Sequence, residues 1–194
     1  MSTVGLVLAA GAGRRMGGPK ALVRLVEGGP TLVETAVARV LEGGCDRVVV
    51  VVGAAADEVS AVVAASGVDV VTASGWVEGM GASVRAGLAH VGEGADDLAL
   101  VSLVDLPDVT AAVHRRVLAA AAPEGRAALV RAAYDGVPGH PVVIGRDHWA
   151  AVAERARGDR GARDHLLATP HRLVECGDLA GGRDVDTVED LGRG

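Results

Sequence analysis

Val4-Gly5-Leu6-Val7-Leu8-Ala9-Ala10-Gly11-Ala12-Gly13-Arg14-Arg15-Met16-Gly17-Gly18-Pro19-Lys20 is the stretch that decides the fold. Residues 4–10 are an unbroken apolar run that stops at Gly11-Ala12-Gly13, the pattern of a strand buried on both faces and followed by a tight loop. Such strands belong to parallel sheets covered by helices. Outward from it, Thr31-Leu32-Val33-Glu34 has the spacing of a capping box, and Leu32, Val33, Ala36, Val37, Val40 and Leu41 share one helical face that ends at Gly43-Gly44. Residues 47–53, with valine at every position from 48 to 52, read as a second strand, 57–66 as a helix and 68–72 as a third strand. The order is βαβαβ.

Further along, a glycine-rich loop at 74–81 precedes a predicted helix at 82–91. A long apolar strand at 97–104 then ends at Asp105-Leu106-Pro107. A helix at 111–122 follows. Strands at 127–134 and 141–144 flank Asp135-Gly136, a hairpin signal, and 148–157, 162–168 and 187–191 have helical spacing. With no linker and no internal repeat, the chain is expected to be a single domain over residues 1–194. Its expected class is α/β, Rossmann-like, with a mostly parallel sheet, helices on both faces and a small antiparallel insertion.

Composition narrows the function. The 194 residues carry a net charge of −6 and 2% aromatic residues, which leaves neither the cation cluster nor the stacking platform that nucleic-acid binding needs. The apolar runs fall far short of the ~20 residues of a membrane span, and the start lacks the layout of a signal peptide, so a cytoplasmic location is expected. Cys45 and Cys176 read as buried small apolar residues. His90, His114, His148, His165 and His171 read as surface histidines with no zinc spacing among them.

Ligands of such folds bind beyond the carboxyl ends of the strands, which points to the loops after Ala10, Thr72 and Val104. Residues 11–20 hold four glycines, two arginines and the only lysine of a chain whose other 18 basic residues are arginine. Glycines let backbone N–H groups approach phosphate oxygens, and a lysine supplies a compact point charge where an arginine would present a planar fork. Met16 breaks the dinucleotide fingerprint and Pro19 breaks the P-loop. The loop therefore reads as a polyphosphate cradle of another kind. Asp105, a carboxylate at the end of a hydrophobic strand, reads either as a Mg²⁺ ligand or as a helix or turn cap.

These residues carry a resemblance. Residues 8–20 resemble the L-A-A-G-x-x-x-R-M-G-x-P-K signature of the MobA-like nucleotidyltransferases of the molybdenum cofactor, most closely the molybdopterin cytidylyltransferase branch. Gly75-Trp76-Val77-Glu78-Gly79-Met80-Gly81-Ala82-Ser83 and Leu103-Val104-Asp105-Leu106-Pro107 resemble later blocks of that family. So do Gly139-His140-Pro141, Asp159-Arg160-Gly161-Ala162-Arg163 and Asp184-Val185-Asp186-Thr187. The resemblance implies transfer of a nucleoside monophosphate from an NTP to a phosphorylated acceptor. Arg15, Lys20 and Asp105 would be catalytic, and Leu8, Ala9, Ala10, Gly11, Gly13, Arg15, Lys20, Gly79, Gly81 and Ser83 would bind the nucleotide. His140, Arg160 and Arg163 would bind the acceptor, and Asp105 with Asp186, or Asp184 in its place, would hold Mg²⁺.

Some readings stay open at this level. Ser83 reads as a ribose ligand or a helix cap, Asp186 as a metal ligand or a cap, and Trp76 as a stacking platform or a loop anchor. By resemblance, Ala10, where the guanylyltransferase branch usually has glycine, points to CTP. The implied partners are CTP and molybdopterin, with a transient contact to a molybdoenzyme or its chaperone. The rivals are a guanylyltransferase, a sugar-1-phosphate nucleotidyltransferase and a non-catalytic nucleotide-binding protein.

Overall fold

The computed structural model describes residues 1–185. The predicted helix at 187–191 and the proposed ligand Asp186 lie outside the described residues. The elements within them are β1 (Thr3–Leu8), α1 (Leu32–Glu42), β2 (Arg47–Val52), α2 (Ala56–Val63), β3 (Asp69–Thr72), α3 (Met80–Gly92) and β4 (Leu98–Leu103). They continue with α4 (Ala111–Ala121), β5 (Leu129–Tyr134), β6 (Val137–Gly145), α5 (Arg146–Arg155), α6 (Arg163–Ala168) and β7 (Arg172–Glu175).

The strands form one sheet in the order β3-β2-β1-β4-β6-β5-β7. β1, β2, β3 and β4 pair in parallel, β6 pairs antiparallel with both β4 and β5, and β7 pairs in parallel with β5. The expected class is therefore the observed one. The predicted antiparallel insertion is the β5–β6 hairpin, with its turn at Asp135 (φ 51°) and Gly136 (φ 79°).

Local sequence explains the elements. In α1 the Thr31 side chain accepts from the Glu34 N–H while the Glu34 carboxylate accepts from the Thr31 N–H, so two orphan donors of the first turn are satisfied. The valines of β2 are buried on both faces, because apolar layers cover both sides of the sheet. One layer packs Val33, Val37 and Val40 of α1, Val59 and Val63 of α2 and Val113 and Val117 of α4 on the sheet. The other packs Val84 and Leu88 of α3, Trp149 and Val152 of α5 and Leu166 of α6 on the opposite face.

Three expectations need correction. Residues 74–81 were expected to be loop throughout, but α3 begins at Met80, after a 3₁₀ turn at Trp76–Glu78. His114 and His165 are 1% and 4% exposed and so are core residues. His114 falls on the helical stripe of Val117 and Ala121 and meets the Ser102 hydroxyl at 3.2 Å, while the His165 ring meets His148 at 3.1 Å. β7 has no counterpart among the predicted strands. It is a short, mostly exposed edge strand whose four residues present too little alternation to stand out.

After β7 the chain runs back along the carboxyl end of the sheet as a strap of residues 176–185. The Cys176 N–H donates to the Ala133 carbonyl (2.7 Å), the Gly181 N–H to the Asp108 carboxylate (2.8 Å) and the Val185 N–H to the Asp105 carbonyl (2.8 Å).

Candidate active site

Strand order places the site. β1 connects through α1 to β2 on one side, while β4 lies on its other side, so the connections leave in opposite directions from the β1/β4 boundary. At such a switch point the loops beyond the two strands diverge and leave a crevice. A cleft of about 620 Å³ opens there, within the range of small-molecule sites. Residues 8–15 and Lys20 form one wall, Trp76, Val77, Gly79, Met80 and Ser83 another, and Leu103 to Asp105 the floor.

The glycine loop is shaped by its own backbone. Gly13 adopts φ 57° and its carbonyl accepts from the Met16 N–H (2.8 Å), closing the 3₁₀ turn Arg14–Met16. A Cβ at Gly13 would lie 1.9 Å from the Gly18 carbonyl oxygen, so only glycine lets the loop fold onto itself. Gly11 has no atom within 4 Å of where its Cβ would be and lies exposed on the cleft wall. No packing demand accounts for it. What it preserves is open space beside the backbone.

Lys20 begins the 3₁₀ turn Lys20–Leu22, and its Nζ lies 2.8 Å from Oδ2 of Asp105, with the side chains 18% and 21% exposed. Asp105 is not the N-cap of α4, a position Thr110 holds, and it sits in the turn that follows β4. Ser83 is no cap either. It lies inside the first turn of α3, is 5% exposed and lines the cleft.

Of the expected nucleotide ligands, Leu8, Ala9, Ala10, Gly11, Gly13, Arg15, Lys20, Gly79 and Ser83 line the cleft. Gly81 does not. Its Cα faces the 156–157 backbone, where a Cβ would lie 2.7 Å from the Arg157 nitrogen, so it serves the packing of α3 against the following segment. That packing brings Asp159 into the cleft wall, a residue that the sequence offered only as the neighbour of Arg160. Trp76 is half-buried, packs on the apolar layer of α3 and also lines the cleft.

None of the expected acceptor ligands lines the cleft. His140 lies on β6 next to the cis bond to Pro141, and the Tyr134 hydroxyl donates to its carbonyl (2.6 Å). Burial, then the nearby Arg131 charge, push the His140 imidazole down to about 4, so it is neutral at pH 7. Arg163 opens α6 in an exposed position. Arg160 is 60% exposed and pairs with Asp164 at 3.2 Å, the solvated arrangement its charged neighbourhood suggests.

For a divalent ion, Asp105 is a hard oxygen donor facing the cleft, and the Val185 N–H bond to its carbonyl draws the strap, with Asp184 next to Val185, to that corner. Among the described residues no cluster of three or more metal-type ligands exists, and Asp186 lies outside them. Asp184 is exposed.

A glycine-cradled cleft at a topological switch point, floored by a lysine–aspartate pair, defines a phosphate-binding α/β protein of the nucleotide-handling class. The comparisons specify it further: residues 5–173 match the MobA-like NTP transferase domain, and the chain belongs to that family. It is 41% identical to the nicotine blue oxidoreductase of Paenarthrobacter nicotinovorans, over 97% of this chain and 94% of that one. The structure of Rv0371c from Mycobacterium tuberculosis superimposes with a TM-score of 0.82 at 30% identity, covering 100% of this chain and 96% of that one. Rv0371c has also been solved as a complex with manganese. A nucleotidyl transferase from Methanothermobacter (Mth528) superimposes with a TM-score of 0.80 at 26% identity, over 99% and 95% of the two chains.

Proposed function

We propose that the protein transfers CMP from CTP to the terminal phosphate of molybdopterin and releases pyrophosphate. The observation that carries this reading is the Lys20–Asp105 pair on the floor of the glycine-lined cleft, where the only lysine of the chain meets a metal-type carboxylate. In-line attack forms a bond from an acceptor phosphate oxygen to the α-phosphorus. It breaks the bond to the bridging oxygen, and the electron pair leaves with pyrophosphate. Negative charge builds between nucleophile and leaving group, so positioned cations do most of the catalysis.

Lys20 supplies that charge at the transferred phosphoryl group, Arg15 neutralises the departing phosphates, and the amides of residues 10–13 hold the phosphate chain. Gly79 and Ser83 face base and ribose. No general base is required, because a phosphate monoester with a second pKa of about 6 reaches the site mostly as the dianion at pH 7. Asp105 would hold a Mg²⁺ ion together with Asp186, which lies outside the described residues; when bound, the ion would supply charge neutralisation across the phosphates. The manganese complex of Rv0371c supports a divalent site. His140 and Arg163 face the acceptor, and Arg160 joins them only by leaving Asp164. Among the described residues no helix is long and apolar enough to cross a membrane, and this reading places the reaction in the cytoplasm, with hand-over of product to a molybdoenzyme or its chaperone.

The 41%-identical relative, named an oxidoreductase of nicotine blue, favours a second reading, in which the same cleft serves an oxidation–reduction of a compound of that kind. One set of measurements separates the possibilities: equilibrium binding of CTP, GTP, ATP and UTP with and without Mg²⁺, followed by pyrophosphate release in the presence of molybdopterin. Tightest binding of CTP, strengthened by Mg²⁺ and followed by release, is expected. In Asp105→Asn the Mg²⁺ enhancement should vanish while metal-free CTP binding persists. Preference for GTP moves the protein to the guanylyltransferase branch, and for UTP or ATP to sugar phosphates. Nucleotide binding without release indicates a non-catalytic binder. Acceptor-dependent oxidation of NADH or NADPH establishes the redox reading instead.

A further inference from the structure

Arg85 has no part in the site as described so far and does not line the cleft. It lies on α3, four residues after Gly81 and therefore on the same face of the helix. Its Nη1 donates to the Ala156 carbonyl (2.7 Å) just beyond α5, and its Nη2 donates to the Glu78 carboxylate (2.6 Å) in the 3₁₀ turn before α3. One guanidinium thus ties together two segments far apart in the chain, residues 76–79 and 156–159. Both border the cleft, the first through Trp76, Val77 and Gly79 and the second through Asp159.

The two segments also touch directly. Any Cβ at Gly79 would collide with the Asp159 carboxylate, just as one at Gly81 would meet the 156–157 backbone, so the start of α3 is pressed on residues 156–159 at two points and Arg85 clasps it at a third. The Glu78 and Arg85 side chains are 58% and 30% exposed, and an ion pair that wet adds little to stability. What a forked guanidinium fixes is direction. The wall it braces carries the exposed carboxylate of Asp159, whereas the opposite wall carries Arg15, Lys20 and the glycine loop. A carboxylate repels phosphate and accepts from hydroxyl and amino groups, so the braced wall suits the nucleoside end of a nucleotide and the glycine loop its phosphates.

We propose that Arg85 is a positioning residue: by holding the 76–79 turn and the 156–159 segment at a fixed separation, it keeps the nucleoside-facing wall of the cleft in register with the phosphate cradle. Arg85 touches no ligand and acts through Glu78 and Ala156. A wall already in place loses no further freedom when a nucleoside docks on it, so the fork raises nucleotide affinity without a contact of its own. The proposal rests on the reading of the cleft as a nucleotide site and adds to it which residue sets the shape of the nucleoside half.

Two ligands separate the wall from the cradle: CTP, which has a nucleoside, and inorganic tripolyphosphate, which has none. Both are titrated by calorimetry, with Mg²⁺, against the full chain and its Arg85→Met and Glu78→Met variants. These substitutions change the local charge in opposite directions, so a loss of CTP affinity common to both has a geometric cause. The expected result is CTP affinity weakened at least tenfold in Arg85→Met and in the same direction in Glu78→Met, with tripolyphosphate affinity within twofold of the unaltered protein. Trp76 fluorescence should also become more open to acrylamide, while Trp149, 5% exposed, stays shielded. CTP affinities that shift in opposite directions, or an equal loss of both ligands, overturn the proposal. Should Arg85→Met melt lower but keep its CTP affinity, Arg85 is a brace of α3 and the proposal falls. If Arg85→Met does not fold, Glu78→Met decides by the same readings. Wall and transfer fail separately: another nucleotide bound in place of CTP, with the same dependence on Arg85, keeps the wall and removes the cytidylyl transfer. CTP binding and pyrophosphate release indifferent to both substitutions do the reverse, and no nucleotide binding by the unaltered protein removes both.

Discussion

At the scale of single residues the site turns on the choice of lysine at position 20. An ammonium is a point charge on a flexible stem, able to leave Asp105 and follow a phosphoryl oxygen, whereas a guanidinium prefers to stay forked on a carboxylate. With both side chains about one-fifth exposed, the Lys20–Asp105 pair contributes little to stability, on the order of 1 kcal/mol or less. Lys20→Met should therefore melt within a few degrees of the parent protein but lose at least tenfold in turnover, and Lys20→Arg should not restore it. Steady-state kinetics beside a melting curve check this, and near-normal turnover in Lys20→Met would remove the residue from catalysis. Lys20 was legible because it is unique in the chain, and Asp105 because a carboxylate ending an apolar strand has no packing reason to be there. Asp159 was not, since only the packing of Gly81 against residues 156–157 brings it into the cleft wall.

At the scale of elements, the long periodic segments and the capping box of α1 could be read directly, and the observed starts and ends follow them closely. The histidines of α4 and α6 could have been read too, since His114 continues the Val117–Ala121 stripe and His165 lies beside buried Leu166. Reading each as a polar residue, outside its helical period, misplaced them. His114 joins α4 to β4 through Ser102, and burial, then the Arg39 charge, push its imidazole down to about 4. The unfolded chain, with a pKa near 6.5, takes up that proton earlier, so the stability present above pH ~6.5 is progressively lost as pH falls toward 4. Between pH 7.5 and 5 this one group should cost about 2 kcal/mol of unfolding free energy. Urea titrations at the two pH values should show that loss, and His114→Gln should flatten it by a comparable amount. An unchanged slope in the variant would mean that the ring titrates freely in the folded state.

For the whole molecule, strand order settles where chemistry can occur, and strand order is what single segments do not encode. The succession βαβαβ implied a switch point, but which two loops face each other depends on β4 lying beside β1 and on β6 lying beside β4. The same layered packing encloses both thiols. Cys45 and Cys176 are 6% and 0% exposed, and burial, then the Asp46 charge, push the Cys45 thiol up to about 12. In native protein at pH 8 neither thiol should react with an aromatic disulfide reagent over minutes, while both should react in denaturant. Rapid native reaction of one thiol would reveal an opening of the α1–β2 corner or of the β7 end.

The strap carries a further consequence, one of timing. The groups that tie the Asp105 corner down, at Gly181 and Val185, come from a part of the chain synthesised after every strand of the sheet, whereas the glycine cradle and Lys20 are among the first residues made. A domain generally folds as a unit, and β1 sits mid-sheet between β2 and β4, both made after it. The Asp105 corner is thus completed only once the strap has been made, however early the glycine loop leaves the ribosome.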